Sequence, residues 1–301
     1  MAEQGSQKSI TVPLLCYLGC YIVWGMQPLY WSYLDKFDSM FVMCVRVVMA
    51  AFFMYLYVAC SGRFGELKRT FRNKGTMKYL IPAAVFLCGD WTLFIWAVTS
   101  GRVLDSALGY YFNPLVIFLS GVLLVKEKAN PLEYIAVGLA CTGIIISAVE
   151  YGSFPLLALC FALDWPVYAT IKRFAKADPL ISFTIEVTLM VPFALAALFI
   201  FFRGGGGFAA ISSSGDVLLL IISGIVTALP MILYNMVVNE IPFKTVGILQ
   251  YAGTTITFFC GTVFMHEAVT HSKLVMFIFI WAGLIIYTIG SFRKHDKITA
   301  Q

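Results

Sequence analysis

Along this chain, apolar residues gather into runs of roughly 18 to 23 positions, separated by short polar breaks. A run of about 20 apolar residues is what a helix needs to cross the hydrocarbon core of a bilayer. Ten such runs are legible, at about residues 12–34, 39–61, 79–100, 104–125, 133–150, 154–171, 180–202, 216–238, 244–265 and 273–292. In lipid every backbone N–H and C=O must find an internal partner, so each run predicts a helix. The polar breaks between them are too short to hold a separate soluble unit.

A shift of 140 residues lays the second half of the pattern on the first. Tyr111 falls on Tyr251, Gly121 on Gly261, Glu127 on Glu267, Gly143 on Gly283 and Arg46 on Glu186, without a gap. Five runs per copy is an odd number, so the second copy must enter the membrane from the side opposite to the first. The expected architecture is an all-α integral membrane protein of ten transmembrane helices arranged as two inverted five-helix repeats. Residues 1–150 form one repeat and residues 151–301 the other, in one bundle.

Composition agrees with this class. With 60% hydrophobic and 12% charged residues and a mean hydropathy of +0.86, there is too little polar surface to cover a soluble globule. The first run is too long for the core of a signal peptide and is read as a retained helix. Cys16, Cys20, Cys44, Cys60, Cys88, Cys141, Cys160 and Cys260 all fall inside apolar runs, where a thiol acts as a small hydrophobe, so neither disulfide nor metal site is expected.

Charge sets the orientation. Alternate breaks hold Lys8, Arg63, Lys68, Arg69, Arg72, Lys74, Lys78, Lys126, Lys128, Lys172, Arg173, Lys176, Lys244, Arg293, Lys294 and Lys297, against only Lys36, Arg102, Arg203 and Lys273 on the other side. The positive-inside bias places both termini in the cytoplasm. The net charge of +5 is this topology signal, so no nucleic-acid partner is expected. Residues 63–78 read as a plain cytoplasmic loop, with contact to anionic membrane lipid as the alternative. Gly204, Gly205, Gly206 and Gly207 read as a flexible connector, because no Lys-Ser/Thr follows to make a phosphate loop.

Four ionisable residues inside the runs need explaining, since each costs about 2.5–3.5 kcal/mol to insert. Arg46 and Glu186 are candidates for coupling or gating, with an ion pair between them as the structural alternative. Asp90 is a candidate for substrate or proton binding, because a carboxylate in a poorly hydrated cavity can exchange a proton near neutral pH. Asp164 precedes Pro166, which frees a backbone carbonyl as discontinuous helices do at binding sites. Asn113 and Gln250 lie at matching points of the repeat and carry donors and acceptors suited to a zwitterionic or amide-bearing ligand, or to holding helices together. Trp24, Trp91, Tyr111, Tyr168, Tyr234 and Tyr251 could line an aromatic box for a flat amphiphile. Tyr30, Trp31 and Tyr33 read as membrane-belt anchors, and Glu127 and Glu267 as interface anchors. Gly138 with Gly143 and Gly283 with Gly290 predict close helix contacts, within the molecule or in a homodimer. His266 and His271 come with no metal-binding pattern.

The strings Gly89-Asp90-Trp91-Thr92-Leu93-Phe94-Ile95-Trp96-Ala97-Val98 and Leu108-Gly109-Tyr110-Tyr111-Phe112-Asn113-Pro114-Leu115 resemble the RarD-type permeases of the EamA group in the drug/metabolite transporter superfamily. So do Tyr21-Ile22-Val23-Trp24-Gly25, Gly224-Ile225-Val226-Thr227, and Gln250-Tyr251 with Gly253. The resemblance covers nearly the whole chain. It implies ten helices in two inverted repeats, an inner-membrane location, and export or exchange of small organic molecules, with a naming history linked to chloramphenicol. It implies no particular substrate. Asp90 stands where such permeases usually carry Asn, and Asp164 where a small polar residue is usual, so both departures add ionisable groups to the cavity.

No HExxH, Walker A, Asp-rich prenyl-transfer or Gly-x-Ser-x-Gly motif is present, so the chain is not expected to be an enzyme or to hold a cofactor. The expected function is secondary transport of small amphiphilic metabolites or drugs by alternating access, with proton coupling open. The alternative is a membrane sensor or assembly subunit that transports nothing.

Overall fold

The computed structural model describes residues 11–99, 103–150, 156–202, 206–264, 266 and 271–299, and among them the chain is helical with no strand. Helix α1 (Thr11–Trp31) passes through a 3-10 turn, Ser32–Leu34, to α2 (Ser39–Cys60). Then come α3 (Phe64–Arg72), α4 (Lys74–Thr99), α5 (Val103–Leu123), α6 (Pro131–Glu150), α7 (Leu156–Phe174) and α8 (Pro179–Phe202). The short α9 (Gly206–Ala209), α10 (Ser214–Val237), α11 (Phe243–Leu249), α12 (Tyr251–Phe259), a π-helical turn Cys260–Phe264 and α13 (His271–Thr299) complete it. Among the described residues, six helical stretches are long and apolar enough to cross a membrane: Val12–Leu34, Ser39–Cys60, Pro131–Val149, Pro179–Ile200, Ser214–Val237 and Phe243–Phe264.

The polar breaks end helices by capping them. Asp38 accepts from the Met40 and Phe41 amides at 2.9 and 3.1 Å. Ser213 and Asp216 form a capping box at α10, and Asn130 and Glu133 bond each other's backbone amides in the same way at α6.

Helices of the first half pack mainly on helices of the second. α2 lies between α8 and α10, α5 between α7 and α11, and α6 lies along α13, while α1 meets α10 and α12. Glycines permit the tightest crossings. A Cβ on Gly247 would stand 2.6 Å from the Pro114 carbonyl oxygen, and one on Gly253 would stand 2.6 Å from the Tyr21 ring. Tyr17, Val47, Leu87, Ile117, Tyr168, Phe183, Tyr234 and Val246 are fully buried in the larger core, and Phe118, Ile144 and Phe277 in a second core around α6 and α13. Leu15, Ile22, Phe52, Val85, Phe193, Phe199 and Ile285 point outward, an apolar perimeter suited to lipid.

Four expectations change. Residues 64–72 form an amphipathic helix and not a plain loop, because Phe64, Leu67 and Phe71 share one face and Leu67 is buried. The run at 244–265 is a broken helix, with i→i−3 hydrogen bonds from Gln250 N to Gly247 O and from Gly253 N to Gln250 O tightening the chain at Gln250. Gly138 faces open space, whereas Gly143, Gly283 and Gly290 seat α6 and α13 against each other. Gly206 and Gly207 begin α9, while Gly204 and Gly205 lie outside the described residues.

Candidate functional site

A cavity of about 420 Å³ lies within the bundle. α1 contributes Tyr21, Trp24, Gln27, Pro28 and Trp31; α2 contributes Arg46; α4 contributes Asp90, Trp91 and Phe94. From α5 come Tyr110, Tyr111 and Asn113, from α7 Trp165, and from α10 Thr227 and Met231. Gln250, at the break between α11 and α12, completes the wall with Thr254 and Thr257. The volume lies toward the lower end of the roughly 300–1,000 Å³ typical of small-molecule sites.

Of the residues singled out in the sequence, Trp24, Arg46, Asp90, Trp91, Tyr111, Asn113 and Gln250 meet at this cavity. Asp164 stands just behind it. Its carboxylate lies 3.5 Å from where a Cβ on Gly89 would be, ordinary contact distance, and α7 thus places Asp164 within electrostatic range of Asp90 on α4. Tyr251 braces the wall from behind by donating to the Tyr111 carbonyl at 3.2 Å. The Asn113 amide nitrogen, turned toward the Phe161 and Gly109 carbonyls, reaches them at 2.8 and 3.2 Å.

Arg46 and Glu186 do not pair. Glu186 is fully buried away from the cavity, where Lys172 Nζ reaches its Oε1 at 2.6 Å and the Tyr168 hydroxyl donates to its Oε2 at 3.1 Å. Lys172 also donates to Ser182 Oγ at 2.7 Å, so α7 supplies the cation expected from α2. Tyr168 is therefore not a lining residue. Arg46 lies instead between two indoles, its guanidinium carbon 4.7 Å from the Trp91 ring centroid and 5.3 Å from that of Trp31. Trp31 thus belongs to the cavity and not to a membrane belt, and Tyr30 is tied by its hydroxyl to the Leu219 carbonyl, while Tyr33 is exposed.

Several buried polar atoms of the cavity wall have no hydrogen-bond partner: Arg46 Nε, Asp90 Oδ1, Trp165 Nε1, Thr227 Oγ1 and Gln250 Oε1, with Asp164 Oδ2 behind them. Buried polar groups in proteins are nearly always paired, so such a cluster marks a place where something else supplies partners.

One end of the cavity is closed. Tyr17, Tyr21, Trp24, Trp165, Tyr168 and Tyr234 form a contiguous aromatic layer with neighbouring ring centroids 4.8 to 6.1 Å apart. Tyr17 fastens it to the broken helix by donating to the Val246 carbonyl at 2.6 Å. Beyond it lies a charged layer. Glu127 accepts from the Phe243 and Lys244 amides at 2.6 and 2.8 Å, holding the start of α11, so it is a helix anchor and not an interface anchor; its counterpart Glu267 lies outside the described residues. Lys244 Nζ binds both Glu133 oxygens at 2.7 and 2.6 Å, and Arg173 donates to the Val238 and Ile241 carbonyls at 2.6 and 3.1 Å. Among the described residues, no group of three His, Cys, Asp or Glu could hold a metal.

Tyr110, Trp165, Gln27, Trp31 and Thr227 were not singled out as lining residues. Two carried a signal: Tyr110 is the 140-residue counterpart of Gln250, and Trp165 adjoins Asp164.

The description "EamA-like transporter family" fits residues 11–149 of this chain. Over 89% of its length the chain is 36% identical to the uncharacterized transporter YojE of Bacillus subtilis, covering 90% of that protein. It is 31% identical to protein RarD of Streptomyces exfoliatus, over 96% of this chain and 91% of that one. A crystal structure with 16% identity superposes with a TM-score of 0.73 over 92% of this chain and 98% of that chain, a likeness of fold.

Proposed function

The chain belongs to the EamA-like transporter family, with RarD proteins among its relatives, and is a multi-pass membrane transporter; from that premise we propose that it is a secondary transporter that exports or exchanges small organic molecules by alternating access. Ten helices in two inverted repeats rock about the cavity, in the inner membrane, with both termini in the cytoplasm.

The observation that carries this reading is a cavity walled by counterpart residues of the two halves, with a packed aromatic layer across one end. Tyr110 and Gln250, and Trp91 and Met231, are pairs 140 residues apart that line it together, and Tyr251 bonds its counterpart Tyr111. The backbone repeats too: among the described residues, the non-glycine residues with left-handed φ are Lys126 and His266, again 140 apart, at φ 61° and 53°. An inverted repeat can present one midplane site to either face by exchanging the conformations of its halves. The aromatic and charged layers are the closed gate of this state. They hold the Lys- and Arg-rich side, so the cavity faces away from the cytoplasm.

Proton coupling belongs to the same reading. Asp90 faces the Tyr110 hydroxyl, Asp164 and Arg46, and a carboxylate that trades a proton for a substrate contact links the two fluxes.

Counterflow into proteoliposomes, with a panel of labelled amino acids, amphiphilic drugs and sugars, tests the function. Trp91→Ala and Gln250→Ala should each lower flux at least tenfold while leaving the melting temperature of the protein within a few degrees. Flux of no compound, together with no thermal stabilisation by any of them, would favour the non-transporting sensor or assembly subunit. Asp90→Asn should remove the dependence of flux on an imposed pH gradient; full dependence in that variant rules out the coupling.

A further inference from the structure

A second cavity, of about 370 Å³, lies on the Lys- and Arg-rich side of the bundle and shares no residue with the central one. α3 and the start of α4 line it with Glu66, Arg69, Thr70, Asn73 and Thr76, and the segment between α7 and α8 lines it with Lys176 and Asp178. Its two carboxylates are already answered. Arg63 reaches Glu66 Oε2 and Asp178 Oδ2 at 2.8 Å each, and Asp178 Oδ1 accepts from the Leu180 and Ile181 amides. Its two cations are not: among the described residues, Arg69 and Lys176 make no ion pair or hydrogen bond.

The 140-residue repeat shows what sets this cavity apart. Lys36 and Asp38 precede α2 as Lys176 and Asp178 precede α8, and Asp38 caps the Met40 and Phe41 amides as Asp178 caps their counterparts. At the facing helix starts, Ser213 accepts from the Asp216 amide at 3.2 Å, and its counterpart Asn73 accepts from the Thr76 amide at 3.3 Å. At the opposite face of the bundle these two pieces are joined by charge, with Lys36 Nζ 2.6 Å from Asp216 Oδ1. The counterpart of Asp216 is Thr76, so Lys176 shares its cavity with a hydroxyl where Lys36 has a carboxylate. The backbone arrangement is repeated and the negative charge is not.

We propose that this cavity binds a phosphate ester, whose negative charge takes the place of the carboxylate that Asp216 supplies at the opposite face. The Arg69 guanidinium presents paired N–H groups that match two phosphate oxygens, and the Lys176 ammonium adds a point charge beside it. The Thr70 and Thr76 hydroxyls and the Asn73 amide nitrogen are donors for the remaining oxygens. A carboxylate has only two oxygens and would leave part of this donor set unused. Two sources carry the chemistry: the headgroup of an anionic phospholipid, or a soluble phosphate ester. Phe64 and Phe71 stand exposed on α3 with Lys68 and Arg72 beside them in sequence, as on helices that lie in a membrane interface, which favours the lipid. Because α3 and α4 come from the first half of the chain and Lys176 from the second, a bound phosphate ties the halves together as the Lys36–Asp216 pair does.

The test uses the purified full-length protein and two probes. Glycerol 3-phosphate is titrated in detergent and read by thermal stabilisation, against sodium chloride of equal ionic strength. Phosphatidylglycerol is read by its retention in native mass spectrometry, against phosphatidylcholine. Binding of the first probe identifies a soluble ester, and binding of the second alone identifies a lipid. Either supports the site when Arg69→Gln and Lys176→Gln each weaken binding roughly tenfold and Lys68→Gln, outside the cavity, leaves it nearly unchanged. Thr76→Asp gives Lys176 the carboxylate that its counterpart has and completes a capping box with Asn73 at the start of α4. That variant should lose the ligand while its own melting temperature stays level or rises. Binding of neither probe by the unaltered protein overturns the inference. So does an equal loss in Lys68→Gln, which traces binding to diffuse surface charge, or undiminished binding in Thr76→Asp. None of these outcomes touches the transport reading, which rests on the central cavity.

Discussion

The two ends of the bundle are both rich in buried polar groups and treat them in opposite ways. At the closed end the buried charges have partners, although the Tyr234 hydroxyl and Asn235 Oδ1 there have none: Lys172 has Glu186 and Ser182, Lys244 has Glu133, and Arg173 and Glu127 bond the backbone around α11. Around the cavity, Arg46 Nε, Asp90 Oδ1, Thr227 Oγ1 and Gln250 Oε1 have none. The cost of burying charge is thus offset internally at the closed end and left standing around the cavity. The lesson is that buried charge alone does not mark a binding site; unanswered buried charge does.

The sharpest way to break this comparison is to leave a satisfied charge unanswered. Lys172→Met strands Glu186, which is fully buried, and should cost about 3–5 kcal/mol of stability. Adding Glu186→Leu should recover most of it. Arg46→Met, which removes a charge with no ion pair and loses only its contacts with two indole rings, should cost clearly less than Lys172→Met. Unfolding of the detergent-solubilised variants measures all three. Equal losses for Lys172→Met and Arg46→Met would end the distinction between the two regions.

Packing at the closed end gives a smaller effect. α11 can lie against α5 only because residue 247 is glycine, whose Cβ position lies 2.6 Å from Pro114 O and 2.8 Å from Phe118 N. Both neighbours are backbone and cannot rotate aside. Gly247→Ala should therefore lower stability by about 1–3 kcal/mol, the usual cost of overpacking, in the same unfolding measurement. An unchanged midpoint would mean that the closed end is not rigid.

The same contrast explains what was legible in the sequence. Helix positions followed from the lengths of apolar runs, because a bilayer span imposes a length that needs no tertiary information. Most of the lining was legible for a similar reason: a polar group in an apolar run is expensive, so Asp90, Asn113 and Gln250 announced themselves. The sign and identity of partners were not. Arg46 and Glu186 looked like a pair because the repeat aligns them, but an inverted repeat relates positions without bringing them into contact, and Lys172, the first residue past the predicted end of its run, reached Glu186 instead. Trp31 and Trp165 were hidden among many aromatic residues, where only the fold separates lining from lipid-facing rings. The amphipathic α3 was masked by the six Lys and Arg residues in and beside it, which read as topology and not as a helix.

A pair of single-hydroxyl deletions turns the comparison into opposite signs. Ser182 Oγ receives the Lys172 ammonium at 2.7 Å, so Ser182→Ala should cost about 1 kcal/mol. Thr227 Oγ1 is buried with no partner, so the nearly isosteric Thr227→Val should gain up to about 1 kcal/mol. Two losses of the same size in calorimetry would show that the cavity hydroxyl is satisfied after all.

The smallest effect lies at the rim of the closed end, where the charges meet water. Arg63 contacts the Asp178 carboxylate at 2.8 Å, and that carboxylate also caps α8 through the Leu180 and Ile181 amides at 3.0 Å each. Partial burial alone would push the Asp178 carboxyl up, but the hydrogen bond from Arg63 and those from the capped amides outweigh it and hold the carboxyl below its ordinary value. Its folded pKa is thus lower than the value of about 3.9 in the unfolded chain. A depressed carboxylate contributes stability in full above that unfolded value and loses it as pH falls through the folded one. The melting temperature should therefore drop more steeply in the original protein than in Asp178→Asn as pH is lowered from about 5 to below 3. High salt should narrow the gap between them, because the pair is screened by solvent. Parallel curves for the two proteins would show that this outer pair adds nothing, and that the closed end is held by its buried charges alone.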